Sequence, residues 1–157
     1  MKKVLIINDS RFECMILAEL LSHLSYESEM SDEFNALVDV ESYSPDIVIV
    51  NYIMEEVRGD KLIQIIKAGR PEIICLISSS NALKIEDFKL CGVDGIVRTP
   101  VSAFTLKDSL NRAIIKKADS AMEDQRRCNH CNADISEFSS QIRFCPFCGQ
   151  EMIEPGK

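Results

Sequence analysis

The sequence of 157 residues has no long apolar run and no surplus of basic side chains. Its 18 lysines and arginines stand against 25 aspartates and glutamates, which gives a net charge of −7. Because nucleic acids and anionic membranes attract cationic surfaces, this balance disfavours nonspecific binding to either. Only four apolar residues, 4–7, precede the polar pair Asn8 and Asp9. That run is too short for a signal peptide or a membrane helix, so we expect a cytoplasmic protein.

Short apolar runs alternate with helix-like stretches over most of the chain. They occupy 4–7, 47–50, 73–77 and 95–97, with a weaker candidate near 27–30. Valine and isoleucine without polar alternation indicate strands that are covered on both faces. Repeated strand–helix units build a parallel sheet between helices. Five strands and five helices predict an α/β fold, a flavodoxin-like doubly wound sheet with strand order 2-1-3-4-5.

The helix predictions rest on apolar spacing and on capping residues. Ser10 is expected to cap the first helix, whose apolar stripe is predicted as Met15, Ile16, Leu20 and Leu24. The other helices are predicted over 32–41, from Gly59 to Gly69, over 82–91 with Gly92 closing it, and from Ser102 onward. Since residues 103–127 contain no glycine or proline, the last helix is expected to continue past residue 118, as a spacer or a dimer contact.

Polar residues follow the ends of four predicted strands. The carboxyl ends of parallel strands share one edge of the sheet, where such folds build ligand sites. The residues at this edge are Asn8, Asp9, Asn51, Ser78 and Thr99.

The order and spacing of these residues resemble the receiver domain of bacterial two-component response regulators, the CheY-like family, over residues 1–118. The resemblance implies that the family carries an acidic pair where this sequence has Asn8 and Asp9, and a phosphoryl-accepting aspartate where it has Asn51. By the same resemblance, the family's hydroxyl is kept at Ser78 (or Ser79), and its lysine is replaced by Thr99. An asparagine amide is neither anionic nor able to form an acyl phosphate. Magnesium prefers carboxylate oxygens, and only Asp9 remains, so Mg²⁺ binding is expected to be weak or absent.

At other positions, too, this sequence departs from the residues that the receiver family carries. The aromatic residue that the family carries on the fifth strand is Ile96 here, and Glu55 and Arg58 replace a proline and an aspartate. Together these changes predict a pseudo-receiver, a non-enzymatic signalling protein that no longer accepts a phosphoryl group. The resemblance implies that it contacts protein partners through the fourth helix, fifth strand and fifth helix. The main alternative is a response regulator that uses a displaced acidic residue.

The last thirty residues contain two Cys-x-x-Cys pairs with thirteen residues between them. Four thiolates at such spacing suit tetrahedral zinc, in a closed structural site without an open catalytic position. The pairs consist of Cys128 and Cys131, then Cys145 and Cys148. The segment resembles a zinc ribbon, with Pro146 and Gly149 placed in its turns, and resemblance of the second pair to rubredoxin makes iron the alternative metal. Zinc binding should supply much of the folding energy of so short a segment.

The predicted organisation is a receiver-like domain over 1–118, a helical linker over 119–127 and a zinc ribbon over 128–153. From residue 120 onward, four basic residues stand against six acidic ones, which disfavours nucleic-acid binding by the ribbon. Ribbon-mediated nucleic-acid binding nevertheless stays an alternative, because Phe138, Phe144 and Phe147 could stack on bases. In so small a module they are expected to cover the metal site instead.

Overall fold

The computed structural model of the chain describes residues 1–123 (121–123 by their backbone), 128, 130, 131, 133–135 and 143–151. The chain divides into two compact units, Met1–Ile115 and Lys116–Lys157. The elements are β1 (Lys3–Ile7), α1 (Arg11–His23), β2 (Glu27–Ser31), α2 (Ala36–Tyr43), β3 (Ile47–Asn51), α3 (Gly59–Gly69), β4 (Ile74–Ser79), a 3-10 helix (Ile85–Cys91), β5 (Gly95–Arg98) and α4 (Ala103–Glu123). In this described part of the chain, no helix has both the length and the hydropathy that a membrane span requires.

The five strands form one parallel sheet in the order β2-β1-β3-β4-β5, so the predicted fold class is confirmed. The central strands β1, β3 and β4 are buried almost throughout, as continuous valine and isoleucine predicts. Strand β2, the weakest in sequence, lies at an edge and exposes Glu27 and Glu29 to solvent.

Alternating strand residues fill two hydrophobic cores on opposite faces of the sheet. One core joins the sheet to α1 and α4, and the other joins it to α2, α3 and the 3-10 helix. Residues at even positions of β1, such as Val4 and Ile6, belong to the first core, whereas Leu5 and Ile7 belong to the second. This division decides which helices each strand-end side chain can meet.

The cap of α1 is confirmed. Of its predicted apolar stripe, Leu20 and Leu24 do pack against the first core, whereas Met15 and Ile16 do not. The Ser10 hydroxyl accepts the backbone N–H of Glu13 at 3.4 Å. The residues of α1 that are buried against the sheet are Cys14, Leu17 and Leu21. Of the stripe that was predicted, Met15 is 55% exposed and Ile16 is 42% exposed. Both stripes have helical spacing, so spacing alone could not distinguish them.

Helix α2 begins four residues later than predicted. The Asp32 carboxylate accepts the backbone N–H groups of Phe34 and Asn35, at 3.0 and 2.8 Å. An aspartate that binds the backbone just ahead of itself stabilises a turn in competition with a helix. Residues 32–35 therefore form a turn, and the helix starts at Ala36.

The fourth predicted α-helix is a short 3-10 helix. A 3-10 helix repeats every three residues, which places Ile85, Phe88 and Cys91 on one side. Phe88 is 4% exposed, and the other two pack beside it on the second core. The chain leaves the helix at Gly92, whose φ of 78° confirms the predicted glycine stop.

Helix α4 is long and crosses the boundary between the two units. The Ser102 hydroxyl accepts the backbone N–H of Thr105 at 3.2 Å, which confirms the predicted start. The helix continues to Glu123, as the absence of glycine and proline predicts. The rest of the predicted linker, 124–127, lies outside the described residues.

Candidate functional site

Three of the predicted site residues lie side by side at the carboxyl edge of the sheet. Asn51, the last residue of β3, pairs in register with Ser78 of β4, and continuing the β1–β3 register by one residue places Asn8 level with Asn51. Register partners of a parallel sheet point to the same face, here the face covered by α1 and α4. Thr99 lies just past β5, where its N–H donates to the Ser79 carbonyl at 2.9 Å.

Asn8 uses both ends of its side-chain amide. Its Nδ2 donates to the Glu13 carboxylate at 2.7 Å, and its Oδ1 accepts the backbone N–H of Ser10 at 2.9 Å. The residue is 4% exposed. An aspartate here could still accept from Ser10, but it could not donate to Glu13. It would also place a second negative charge beside that carboxylate.

Asn51 is likewise a hydrogen-bond donor. Its Nδ2 donates to the Ile53 carbonyl at 2.8 Å and so closes the turn that follows β3. Gly59 holds the far side of this turn, because its N–H donates to the Tyr52 carbonyl at 2.8 Å. The backbones approach so closely that a Cβ on Gly59 would lie 2.2 Å from the Asn51 carbonyl oxygen. Only glycine fits there.

A cluster of hydrogen-bonded side chains around Arg58 fixes the outer part of the same turn. The Arg58 guanidinium donates to both carboxylate oxygens of Asp60, at 3.1 and 2.8 Å, and to the Tyr52 hydroxyl at 2.8 Å. The Tyr52 ring in turn meets the Phe88 ring edge-to-face, with 5.4 Å between centroids. Sequence reasoning noted Arg58 only as a departure from the family. The Arg-x-Asp spacing at the start of α3 was the signal that could have revealed this cluster.

Two cavities border the strand ends, and they are separate. A cavity of about 420 Å³ adjoins Asn8 and Asp9 and extends towards α2, where Asp32 and Asp39 line it. Another, of about 270 Å³, lies between α1 and the loop 99–101 that leads from β5 to α4, and Thr99 is one of its lining residues. Neither cavity is lined by Asn51 or Ser78. Neither of these two cavities therefore brings together all five predicted residues.

The carboxylates at this edge do not converge. Asp9 is exposed to solvent. Within the described ranges of the chain, the four tail cysteines are the one group of three or more cysteine, histidine or acidic side chains whose ligand atoms lie close enough to hold a metal ion. Weak magnesium binding at this edge stays a prediction.

The isolated cysteines are core residues. Cys14 and Cys75 are buried, and Cys91 packs against the second core. Burial, together with the nearby carboxylates of Glu13 and Asp9, raises the pKa of the Cys14 thiol to about 11. A thiol with this pKa is protonated at neutral pH and is a poor nucleophile.

The four tail cysteines come together as their spacing predicts. All four sulfur atoms lie within 4.8 Å of one another, so the group could hold a metal ion. Two pairs link the two Cys-x-x-Cys segments: the Sγ atoms of Cys128 and Cys148 are 3.7 Å apart, and so are those of Cys131 and Cys145. A tetrahedron with Zn–S bonds of about 2.3 Å has edges of about 3.8 Å, so the spacing fits this donor set.

Backbone hydrogen bonds shape the two cysteine loops. The N–H groups of Cys131 and His130 lower the pKa of the Cys128 thiol to about 6. At Cys148, the Gln150 N–H lowers the pKa, but burial and the hydrogen bonds of the other three sulfurs outweigh it and raise the pKa to about 12. In the second loop, the Gly149 N–H donates to the Cys145 carbonyl at 2.9 Å. Gly149 has a φ of 70°, the left-handed conformation that favours glycine.

Of the phenylalanines that are expected to cover the metal site, the two that the structure describes are largely exposed. Phe144 is 59% exposed and Phe147 is 64% exposed, while Phe138 lies outside the described residues. Among the described residues of the segment, the apolar residue buried with the cysteines is Ile135, which is 4% exposed. A branched aliphatic side chain can pack closely beside the sulfur atoms, so aromatic cover is not required.

Comparison with known proteins agrees with the fold. No family model matches the chain. The chemotaxis protein CheY of Thermotoga maritima is 29% identical over 116 residues, which cover 71% of this chain and 96% of that protein. The structure of CheY4 from Vibrio cholerae has a TM-score of 0.67 at 22% identity and covers 72% of this chain and 98% of its own.

A CheY-like receiver domain protein from Methanospirillum hungatei gives the same TM-score, 0.67, at 18% identity, and covers 76% of this chain and 98% of its own. Structural likeness at such low identity establishes the fold alone. The sheet order, the flanking helices and these similarities agree with one another. The first unit therefore has the CheY-like receiver fold, and the chain continues into a segment whose four cysteines could hold a metal ion.

Proposed function

We propose that this chain is a response-regulator-like protein of two-component signalling that acts by binding proteins, independently of phosphorylation and without an enzymatic activity. The similarity to CheY supports the signalling class. One observation carries the rest: the residue at the acceptor position, Asn51, is an amide that donates to the Ile53 carbonyl at 2.8 Å. An aspartate could not make that hydrogen bond.

Chemistry at the strand ends supports the same proposal. Phosphoryl transfer to a receiver needs an anionic nucleophile, a cation that neutralises phosphoryl oxygens, and a positively charged clamp. This edge offers neutral amides at Asn8 and Asn51 and the uncharged Thr99. Asp9 alone is a poor magnesium site, because that ion usually keeps one or two protein carboxylates in addition to substrate oxygens.

The proposed docking face consists of the 3-10 helix, β5 and α4. Two large apolar side chains on it are exposed: Leu90 of the 3-10 helix at 94% and Phe104 of α4 at 83%. Exposed leucine and phenylalanine side chains gain free energy when a partner removes them from water. The cysteine segment would offer a second contact surface.

For the metal we propose structural zinc. Four thiolates leave no open position for catalysis, and the sulfur spacing of 3.7 Å agrees with Zn–S bonds of about 2.3 Å. Iron bonds to the same donor set, so elemental analysis of the purified protein decides between the two metals.

Treatment with acetyl phosphate and Mg²⁺ is expected to leave the mass of the intact protein unchanged. The Asn51→Asp variant is also expected to stay unmodified, because Thr99 supplies no ammonium group. We expect this variant to lose about 1 kcal/mol of unfolding free energy, since it removes the hydrogen bond to the Ile53 carbonyl. Intact-mass spectrometry and urea denaturation give the two readouts.

Addition of one phosphoryl group to the unmodified sequence would refute phosphorylation independence. Mapping that group to Asp9 would instead establish the alternative of a displaced acceptor. A CheY protein treated in parallel checks that the phosphodonor is active.

Leu90→Glu is expected to abolish retention of the protein partner, because a charge at the centre of an apolar contact must be desolvated. Val38→Glu is the matched control. Val38 is 68% exposed on α2, which follows the opposite edge strand of the sheet. Affinity capture from the native cells, quantified for both variants, measures retention. Equal loss in both variants, or no loss in either, would contradict the proposed face.

A further inference from the structure

We propose that the four-cysteine cluster is a peroxide-sensitive site, at which oxidation links the two Cys-x-x-Cys segments to each other and releases the metal. This inference rests on the metal site of the proposed function. It assigns the cluster a reaction in addition to its structural role.

Each cysteine loop contains one exposed and one buried cysteine residue. Cys131 and Cys148 are exposed, while Cys128 and Cys145 are buried, at 3% and 2% exposure. A small polar oxidant such as hydrogen peroxide can reach the exposed pair first, since susceptibility follows access as well as thiolate character.

The cross-loop distances supply a resolving thiol for each exposed sulfur. Exposed Cys148 lies 3.7 Å from buried Cys128, and exposed Cys131 lies 3.7 Å from buried Cys145. A disulfide requires sulfur atoms about 2.05 Å apart, so each pair must approach by less than 2 Å once the metal leaves. The expected disulfides therefore join Cys128 to Cys148 and Cys131 to Cys145.

The reaction balances with hydrogen peroxide as the oxidant. In the zinc-loaded chain all four cysteines would be thiolates, because metal ligation requires deprotonation. The Cys148 sulfur attacks one peroxide oxygen; an S–O bond forms, the O–O bond breaks and hydroxide leaves, which gives a sulfenic acid. The Cys128 thiolate then attacks that sulfur; the S–S bond forms, the S–O bond breaks and a second hydroxide leaves. Two protons convert the hydroxides to water. A second peroxide oxidises Cys131 and Cys145 in the same way, and no thiolate remains to hold the metal.

Disulfides between the two cysteine loops constrain the chain more than disulfides within each loop. The two bonds join residues 20 and 14 positions apart, whereas a bond within a Cys-x-x-Cys loop joins residues three apart. Closing a longer loop removes more entropy from the unfolded chain. The oxidised segment would therefore keep its two loops together without metal.

The test uses the full chain reconstituted with one Zn²⁺. Hydrogen peroxide is added, zinc release is followed with a chromogenic chelator, and disulfides are mapped by mass spectrometry of non-reduced peptides after free thiols are alkylated. We expect complete zinc release together with disulfides Cys128–Cys148 and Cys131–Cys145. The Cys91→Ser variant, which lacks a half-buried cysteine of the first unit, is expected to give the same release and the same disulfides.

Zinc that stays bound at peroxide concentrations that fully oxidise a free cysteine peptide would overturn the inference and leave the metal site intact. Disulfides Cys128–Cys131 and Cys145–Cys148 would overturn the cross-loop connectivity. A chain that takes up no zinc before peroxide is added would overturn both the metal site and this inference, and it is recognised at the reconstitution step.

Discussion

Cys145→Ser is expected to abolish tight zinc binding and to unfold the cysteine segment. Structural zinc in small domains contributes an apparent binding free energy of about 10–16 kcal/mol, and three remaining thiolates cannot complete the tetrahedral shell. Among the described residues of this segment, the buried apolar cluster consists of Cys128, Ile135 and Cys145 alone. So small a core cannot offset the entropy of ordering the chain. Zinc stoichiometry and the amide NMR spectrum measure the two effects.

Cys14→Ser is the matched control, since Cys14 is a buried cysteine of the first unit and distant in sequence from the cluster. This variant is expected to retain one zinc per chain while the first unit loses some stability. The receiver-like unit of Cys145→Ser should still unfold cooperatively, because the described residues of its two cores all lie within the first unit. Full zinc content in Cys145→Ser would contradict a four-cysteine site.

Gly59→Ala is expected to lower the unfolding free energy of the first unit by about 3 kcal/mol, the upper part of the usual range for overpacking. The added Cβ would lie 2.2 Å from the carbonyl oxygen of Asn51 and 3.1 Å from the Tyr52 Cα. These neighbours are backbone atoms and cannot move by rotating a side chain. The turn next to Asn51 must therefore open, and denaturant unfolding followed by circular dichroism measures the cost.

Gly69→Ala provides a control in the same helix. A Cβ on Gly69 would meet nothing within 4 Å, and its φ is not positive. Alanine favours helix over glycine by roughly 0.5–1 kcal/mol, so this variant is expected to be as stable as the unmodified protein or slightly more stable. Equal destabilisation by both substitutions would show that the close approach at Gly59 is not the cause.

Much of the fold could be predicted from the sequence, because the residue types of a strand indicate whether it is buried on both faces. The central strands consist mainly of valine, isoleucine and leucine, and this composition predicts a parallel sheet covered on both faces. Helix details were less predictable. In α1, two apolar stripes satisfy the same spacing, and in the 3-10 helix the three-residue repeat of Ile85, Phe88 and Cys91 decides the geometry.

One candidate site could be predicted from the sequence, and the roles of the residues in the other could not. Cysteine spacing predicts the metal cluster because coordination chemistry restricts which patterns can surround one ion. The roles of Asn8 and Asn51 could not be predicted, because they depend on where the Glu13 carboxylate and the Ile53 carbonyl lie in space. The sequence indicates that carboxylates are missing from this edge, and the structure adds what the amides do in their place.

The two amide donations also restrict how this protein can evolve. A single change of Asn8 or Asn51 back to aspartate removes a hydrogen bond at once, and at Asn8 it places like charges together. Neither change alone would bring back phosphoryl chemistry, since Thr99 would still be uncharged. Under the proposed function, a first reversion step at either asparagine therefore lowers stability without a functional gain. We expect such single changes to be selected against, so that the asparagines persist in descendants of this chain.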